Sequence, residues 1–190
     1  GSYFGHNLLK FNYDNTEDLI QSTLDTGLNY GANLPDNVSM LSYVVKGLSG
    51  GFQASYRTNN HFIHGYNYTN KQIRDLWEHT LDLSKEQITF IVEHSWEMRR
   101  ANFRYFFIND NCAHRIARIV EMAIGKKVLD THGAWLMPMQ VVRSFGNEKT
   151  DTNLIKKEKY YPSLKKTFSD KYDTLSRKEQ KKLIHFLSQD

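Results

Sequence analysis

The stretch Asn109-Asp110-Asn111-Cys112-Ala113-His114-Arg115 carries the only cysteine in this chain of 190 residues. It lies between an aromatic run, Phe103 to Phe107, and a segment whose apolar residues recur at helical spacing. Asp110 or Asn111 is a suitable N-cap for this predicted helix, and Gly125 is a suitable residue to end it. The pattern therefore places Cys112 in the first turn of a helix.

A thiol in a first helical turn is in an unusual electrostatic environment. Backbone N–H groups without intrahelical partners and the helix dipole both favour an anion there. They lower the pKa of a thiol and make its thiolate usable as a nucleophile near neutral pH. The alternative interpretation is that Cys112 is a small apolar residue on the buried face of the helix.

A nucleophilic cysteine needs a base, and eight histidines compete for that role. His114 is only two residues from Cys112, so the two side chains point to different sides of one helix. His6 lies on a predicted strand, Phe4 to Phe11, on the same face as Leu8, which suits either a base or a buried core histidine. Asn29, on the next predicted strand, is the simplest group to orient the imidazole.

The rest of the chain alternates between strand and helix patterns, which predicts an α+β fold. Further strands are predicted at Leu28 to Ala32, Met40 to Val45, Phe52 to Tyr56 and Asp75 to Leu83. A short helix is predicted at Thr16 to Leu24. A second begins at a capping box, Ser84 to Gln87, and runs to Arg100, with its buried face formed by Ile88, Ile91, Val92, Ser95 and Trp96. The tail from Leu164 to Leu187 is also predicted to be helical, with a second capping box at Ser176 to Glu179. The polar segment Gly146 to Asn153 suggests domains at 1–146 and 147–190.

Composition and motifs argue against several classes of protein. The sequence shows no run of about 18–20 apolar residues that would span a membrane, and no signal peptide. The pair His61 and His64 lacks a third metal ligand at useful spacing, and the glycines of 47–51 are not followed by a P-loop lysine. The net charge of +4 comes largely from lysines near the C-terminus, without a nucleic-acid-binding module. We therefore expect no metal, no cofactor and no nucleic acid, whereas those lysines suit either solvent or anionic phospholipid.

An ordered series of motifs resembles one known family. The series runs through Phe4-Gly5-His6, Asn29-Tyr30-Gly31-Ala32, Gly47-Leu48-Ser49-Gly50-Gly51, Arg74-Asp75-Leu76-Trp77-Glu78, Trp96-Glu97, Asn111-Cys112-Ala113-His114-Arg115, Pro138 and Tyr161-Pro162-Ser163-Leu164. It is similar to the periplasmic domain of the bacterial lipoprotein N-acyltransferases called Lnb, formerly a domain of unknown function. The resemblance implies a circularly permuted papain-like fold. In that fold an antiparallel sheet packs against the helix that starts at the nucleophilic cysteine, and a helical extension follows.

The resemblance also implies roles for individual residues. Cys112 would be the nucleophile and His6 the base, in the reverse of papain's chain order, and Asn29, inferred above from its strand, would orient the base. Asn111 and Tyr30 are candidate donors to the oxyanion, and Arg115 is a candidate for binding substrate.

The implied reaction moves an acyl chain from a phospholipid or lipoprotein ester, through a thioester on Cys112, to the N-terminal amine of a lipoprotein. The enzyme would be periplasmic or otherwise extracytoplasmic and would contact a membrane surface, its signal or anchor lying outside this sequence. A cysteine amidase, peptidase or lipid hydrolase with the same pair of residues is the first alternative. A non-catalytic envelope binding or chaperone domain is the second, and the sequence leaves the oligomeric state open.

Overall fold

A computed structural model describes residues 6–12, 25–129, 137–147 and 152–188. Its elements are β1 (Leu8–Phe11), β2 (Thr26–Ala32), α1 (Met40–Ser49), β3 (Phe52–Asn60), α2 (His61–Tyr66), a π-helical turn (Asn67–Lys71), β4 (Leu76–Leu81), α3 (Lys85–Met98), β5 (Phe103–Tyr105), α4 (Cys112–Ile124), α5 (Pro138–Phe145), β6 (Gly146–Asn147), β7 (Thr152–Asn153), β8 (Ile155–Tyr161), α6 (Leu164–Asp173) and α7 (Arg177–Leu187). The predicted helix at 16–24 lies outside the described residues, as does the start of the first predicted strand, Phe4 and Gly5.

Two compact units divide the chain: Gly1–Phe62 with His79–Lys157, and Ile63–Glu78 with Glu158–Asp190. We refer to them as unit 1 and unit 2. Every residue predicted to form the site falls in unit 1. The boundary predicted after residue 146 separates independent domains, whereas these two units are groups of residues in mutual contact. The predicted boundary therefore stays a prediction.

The central sheet of unit 1 has four antiparallel strands in the order β1-β2-β3-β5. Alternating residues of these strands face one side, because successive side chains in a strand point in opposite directions. Leu28 and Tyr30 of β2 are fully buried, as is Ala54 of β3, and Tyr56 is 3% exposed. This apolar face forms one side of the core. The antiparallel sheet, together with the helices, confirms the predicted α+β class.

Helix α4 covers that face, contacting β1 and β2. Its buried apolar residues follow the helical period: Cys112, Ala113, Ile116, Ala117, Ile119 and Val120. Asn111 caps its start, and Gly125 ends it with a φ of 66°, a left-handed conformation that glycine adopts without steric cost. The predicted limits of this helix are confirmed, and they place Cys112 against the sheet.

The strand predicted at Met40 to Val45 is wrong, because these residues begin helix α1. The Ser39 hydroxyl caps the helix by accepting from the Ser42 N–H at 3.3 Å, and Gly50 ends it with a φ of 73°. A short apolar run fits a strand and a helix equally well, so the caps on either side decided the structure.

Helix α3 confirms the capping box at Ser84, where the hydroxyl accepts from the Gln87 N–H and the Gln87 side chain accepts from the Ser84 N–H. Its predicted buried face is only partly correct. Ile91 and Ser95 are buried as expected. Three residues predicted to be buried are instead exposed: Ile88, Val92 and Trp96.

Unit 2 contains the end of β8 and helices α6 and α7. Ser163 caps α6 through its hydroxyl, and its own N–H donates to the Asp75 carboxylate at 2.9 Å. Ser176 caps α7 in the predicted capping box with Glu179. The tail therefore forms two helices, where a single helical segment was predicted.

Candidate functional site

Cys112 is the first residue of α4, and the residue before it shapes the start of that helix. The Asn111 Oδ1 accepts from the N–H groups of Ala113, at 3.0 Å, and His114, at 3.2 Å. The Asn111 Nδ2 donates to the Phe107 carbonyl at 3.1 Å. Because both ends of this amide are used to hold the backbone, Asn111 fixes the position of Cys112. That engagement weakens its candidacy as an oxyanion donor.

The turn before Asn111 is held against α1. The Phe107 N–H donates to the Gly47 carbonyl at 2.9 Å, and a Cβ on Gly47 would overlap the Phe107 ring. Gly50 has a similar close approach to the ring of Phe106. Gly47 and Gly50 therefore leave the space in which the rings of Phe107 and Phe106 pack against α1. This packing positions the turn that leads into Cys112.

Arg115 clamps the same turn from inside α4. Its Nε donates to one Asp110 oxygen at 2.6 Å and its second guanidinium nitrogen to the other at 2.5 Å. The guanidinium also lies 4.5 Å from the centroid of the Phe103 ring and 5.6 Å from that of Tyr30. Bidentate pairing fixes geometry as well as charge. Arg115 thus lies beside the site with two of its N–H donors held by Asp110, which favours a positioning role over substrate binding.

His6 and Asn29 meet as the sequence predicted. The His6 Nε2 lies 2.6 Å from the Asn29 Oδ1. A carbonyl oxygen can only accept, so Nε2 carries the proton and Nδ1 is left for another partner. The segment that carries His6 is anchored by the next residue, since the Asn7 Nδ2 donates to the Pro138 carbonyl at 3.0 Å.

The second partner of His6 is the Cys112 thiol, which it hydrogen-bonds. The thiol is 4% exposed. Burial by itself raises the pKa of a thiol. The hydrogen bond and positive charge of His6, the Asn7 N–H and the Tyr105 hydroxyl together outweigh burial, so that the pKa of Cys112 lies below its ordinary value.

Sequence reasoning missed Tyr105. Its phenol interacts with the thiol and with the backbone N–H of Cys112. Burial, and then the charge of the thiolate, raise the pKa of Tyr105, which keeps the phenol protonated. Only the aromatic run of 103–107 pointed to this region, and a ring in such a run is usually a core residue.

Tyr30, the other predicted oxyanion donor, is fully buried in an aromatic cluster. Its ring centroid lies 4.9 Å from that of Tyr56 and 5.8 Å from that of Tyr105. Its hydroxyl lies 3.5 Å from the Arg104 carbonyl oxygen. Burial raises the pKa of Tyr30 to about 12. These contacts favour a role in packing the sheet face on which the site is built.

The site therefore joins a polarised thiol, an imidazole that meets the thiol and an amide that holds the imidazole. This combination can transfer a proton from sulfur to nitrogen and present a nucleophilic thiolate. Among the described residues, no group of three or more His, Cys, Asp or Glu side chains is placed to hold a metal ion. The arrangement brings together three of the predicted residues, Cys112, His6 and Asn29, and their catalytic roles stay predictions.

Residues 1–147 match the family described as the Lnb N-terminal periplasmic domain. No curated protein and no solved structure matches the chain. The description of the family indicates a periplasmic domain of an envelope-associated bacterial protein. Over the part of the chain that the structure describes, none of the helices combines the length and the apolar character needed to cross a bilayer.

Proposed function

The chain belongs to the family of the Lnb N-terminal periplasmic domain, and we propose that it is a thiol-dependent acyltransferase of the bacterial cell envelope. The observation that carries this proposal is the position of His6 between two partners. One ring nitrogen meets Asn29 at 2.6 Å, and the imidazole also bonds the Cys112 thiol. A base held by a third group and touching a thiol is the arrangement that activates a cysteine nucleophile.

The way in which the fold brings these residues together supports a circularly permuted papain-like arrangement. His6 lies two residues before β1, and Asn29 lies on the neighbouring strand, where its register partner is Leu8. Cys112 begins the helix that covers the same sheet. The base and its orienting residue thus come before the nucleophile in the chain, whereas papain has the opposite order. Geometry and roles identify such a site, not the order of its residues.

The reaction follows from the positions of these groups. His6 Nδ1 takes the thiol proton, and the sulfur attacks the acyl carbonyl of a phospholipid or lipoprotein ester. The tetrahedral intermediate collapses by breaking the ester C–O bond, and the imidazolium gives its proton to the departing alcohol. The α-amino group of a lipoprotein then attacks the thioester while His6 takes a proton from the amine. Collapse of the second intermediate breaks the C–S bond, releases the amide and returns the proton to sulfur.

Asn29 serves this cycle by fixing the imidazole. Its carbonyl oxygen keeps the proton on Nε2, so Nδ1 is the nitrogen that faces the thiol at the start of each turnover. The same hydrogen bond stabilises the imidazolium that forms when the thiol is deprotonated. An amide can hold an imidazole as a carboxylate does, without adding a negative charge that would oppose the thiolate.

Contact with a membrane surface is part of the proposal, and helices α6 and α7 of unit 2 support it. They expose apolar side chains, Leu164, Phe168, Ile184, Phe186 and Leu187, and they also expose lysines, Lys165, Lys166, Lys171, Lys178, Lys181 and Lys182. Exposed apolar residues among lysines favour the interface of an anionic bilayer. Such contact would bring a lipid ester to an enzyme that needs one.

The proposal is tested with a synthetic lipopeptide that carries a diacylglyceryl cysteine with a free amine, presented with and without phospholipid vesicles. Mass spectrometry should show an acyl chain moved onto the amine, with loss of one ester. Cys112→Ala and His6→Ala should abolish the transfer, whereas His185→Ala, an exposed histidine of α7, should not.

Other products would point to the alternatives. Release of free fatty acid without N-acylation would identify a lipid hydrolase, and peptide cleavage an amidase or peptidase. No covalent change in either lipid or peptide would favour a non-catalytic envelope domain.

A further inference from the structure

We propose that helix α1 and the cleft at its C-terminal end bind a phospholipid of an anionic bilayer, with the headgroup phosphate in the cleft and the acyl chains along the helix. This inference deepens the proposed function, and it rests on that function for the choice of a lipid as the occupant. It places the lipid contact on unit 1, the unit that also holds Cys112.

The outer face of α1 is apolar and open to solvent. Five large apolar side chains share this face, within an arc of about 140° around the helix axis, and all of them are exposed: Met40, Leu41, Val44, Val45 and Leu48. Leu41 is 76% exposed and Val45 is 56% exposed. The opposite side of the helix meets the protein through the buried Gly47 and the ring of Tyr43. A contiguous exposed apolar face marks a surface that binds a partner.

This face fits a bilayer better than a second protein. Each partner in a stable protein interface contributes about 20–30 residues. The outer face of α1 offers five side chains on a helix of 10 residues. An interfacial helix instead buries its apolar face a short way into the lipid. Lys46 is the only charged residue of α1, so no carboxylate on the helix repels anionic headgroups.

The cleft offers a place for the headgroup. Its volume is about 400 Å³, and it lies where α1 ends and where β3 and β5 begin. Arg104 lines the cleft together with two residues that carry amide side chains, Gln53 and Asn102, and Gln53 is the register partner of Arg104. None of the eight lining residues is acidic. A guanidinium and two amides can together donate several hydrogen bonds to one phosphate.

Two positive charges favour an anion at this end of α1. Within the part of the chain that the structure describes, neither Arg104 nor Lys46 pairs with a carboxylate. The Lys46 stem packs against Gly51, which lines the cleft, since a Cβ on Gly51 would lie 2.9 Å from the Lys46 Cγ. The dipole of α1 opposes an anion here, but a helix C-terminus carries only about half a negative charge. The two side-chain charges exceed it.

Helix α1 also lies beside the turn that leads to the nucleophile. The Tyr43 ring centroid lies 4.9 Å from that of Phe107, and the Gly47 carbonyl accepts from the Phe107 N–H at 2.9 Å. The Phe107 carbonyl accepts in turn from the side chain of Asn111, the residue before Cys112. A phospholipid on α1 would therefore be held against the part of unit 1 that presents the thiol.

The apolar face is tested by co-sedimentation of the whole chain with phosphatidylglycerol vesicles. The double substitution Leu41→Ser with Val45→Ser should weaken binding by about 10–100-fold, because two apolar side chains no longer enter the lipid. The matched control is Ile88→Ser with Val92→Ser, which changes two exposed apolar residues of α3 and should bind like wild type.

The cleft is tested by Arg104→Gln. Loss of one positive charge at an anionic surface should weaken vesicle binding by about fivefold. Lys127→Gln, which removes an exposed charge beyond the C-terminal end of α4, should bind like wild type. Soluble glycerol phosphate should bind at least about 100-fold more weakly than vesicles, because it lacks the acyl chains that α1 contacts.

Several results would overturn this inference. These are equal vesicle binding by wild type and the α1 double variant, equal losses in the α1 and α3 variants, equal binding by wild type and Arg104→Gln, and glycerol phosphate binding as tight as vesicle binding. A lipid-free dimer that dissociates in the α1 variant would show that a second copy occupies the face, and would also overturn it. If that variant fails to fold, Leu41→Trp should add a tryptophan emission that shifts to the blue with vesicles, and an unshifted emission would refute the proposal.

These measurements follow binding and not turnover, so the two proposals can fail separately. Vesicle binding that depends on α1 and Arg104, without acyl transfer to an amine, would overturn the proposed function and support this inference. Acyl transfer by a protein whose vesicle binding is unchanged in the α1 variant would support the proposed function and overturn this inference.

Discussion

Substitution Asn111→Ala tests whether this side chain holds the nucleophile in place. Asn111 is 7% exposed, and it makes two hydrogen bonds as a helix cap and one as a donor to Phe107. Loss of a cap costs about 0.5–2 kcal/mol. The half-buried Phe107 carbonyl also loses its donor, which adds about 0.5–1.5 kcal/mol. We therefore expect the free energy of unfolding to fall by about 1–3.5 kcal/mol.

The matched comparison is Ser84→Ala at the start of α3. Ser84 is exposed, and its hydroxyl accepts from the Gln87 N–H at 3.3 Å. Losing this cap should cost about 1 kcal/mol, because no buried group is left unpaired. The variant Asn111→Ser keeps an acceptor for the cap but loses the donor, so its cost should lie between the other two.

The assay is urea denaturation followed by circular dichroism, with stabilities compared at an unchanged slope. Thiol reactivity of Asn111→Ala should also fall, since fraying of the first turn moves Cys112 away from its donors. The reasoning would be refuted if Asn111→Ala cost no more than Ser84→Ala. Such a result would mean that Phe107 does not depend on the Asn111 amide.

Two further predictions concern the surroundings of the site. Gly47→Ala should lower the free energy of unfolding by about 1–3 kcal/mol, because the new Cβ overlaps the Phe107 ring. Gly31→Ala, where a Cβ meets no atom within 4 Å, should leave the thermal midpoint unchanged, and equal effects would contradict the packing argument. Burial lowers the pKa of His114 from 6.5, so the unfolded chain takes up a proton first as the pH falls below 6.5. As the pH falls below 6.5, the free energy of unfolding of wild type should therefore decrease relative to that of His114→Gln. Parallel pH–stability curves for the two proteins would show that protonation of His114 is not coupled to unfolding.

The helix that presents the thiol could be predicted because its signals are local. Asn111 as the cap, Gly125 as the stop and the spacing of Ile116 and Val120 all act within one turn or two of the backbone. The pairing of His6 with Asn29 was predictable for a related reason. Both residues lie at predicted strands, and neighbouring strands bring such side chains together.

Other features could not be predicted because they depend on contacts between distant segments. The apolar run from Met40 is too short for its period to separate strand from helix, and the caps at Ser39 and Gly50 decide for the helix. The exposure of Trp96 depends on which face of α3 meets the rest of the unit. Tyr105 became a site residue only when β5 paired with β3 and carried its hydroxyl to the start of α4.

The central claim, that His6 activates Cys112, is tested most directly by titrating the thiolate. The only cysteine gives one ultraviolet thiolate signal, with Cys112→Ser as the blank. In wild type the signal should rise with a pKa below the ordinary value of 9.0. In His6→Ala the buried thiol loses the hydrogen bond and the charge of His6, so the pKa of Cys112 should move upward. The variant His185→Ala should titrate like wild type. Equal titration of wild type and His6→Ala, or a wild-type pKa at or above 9.0, would contradict the account.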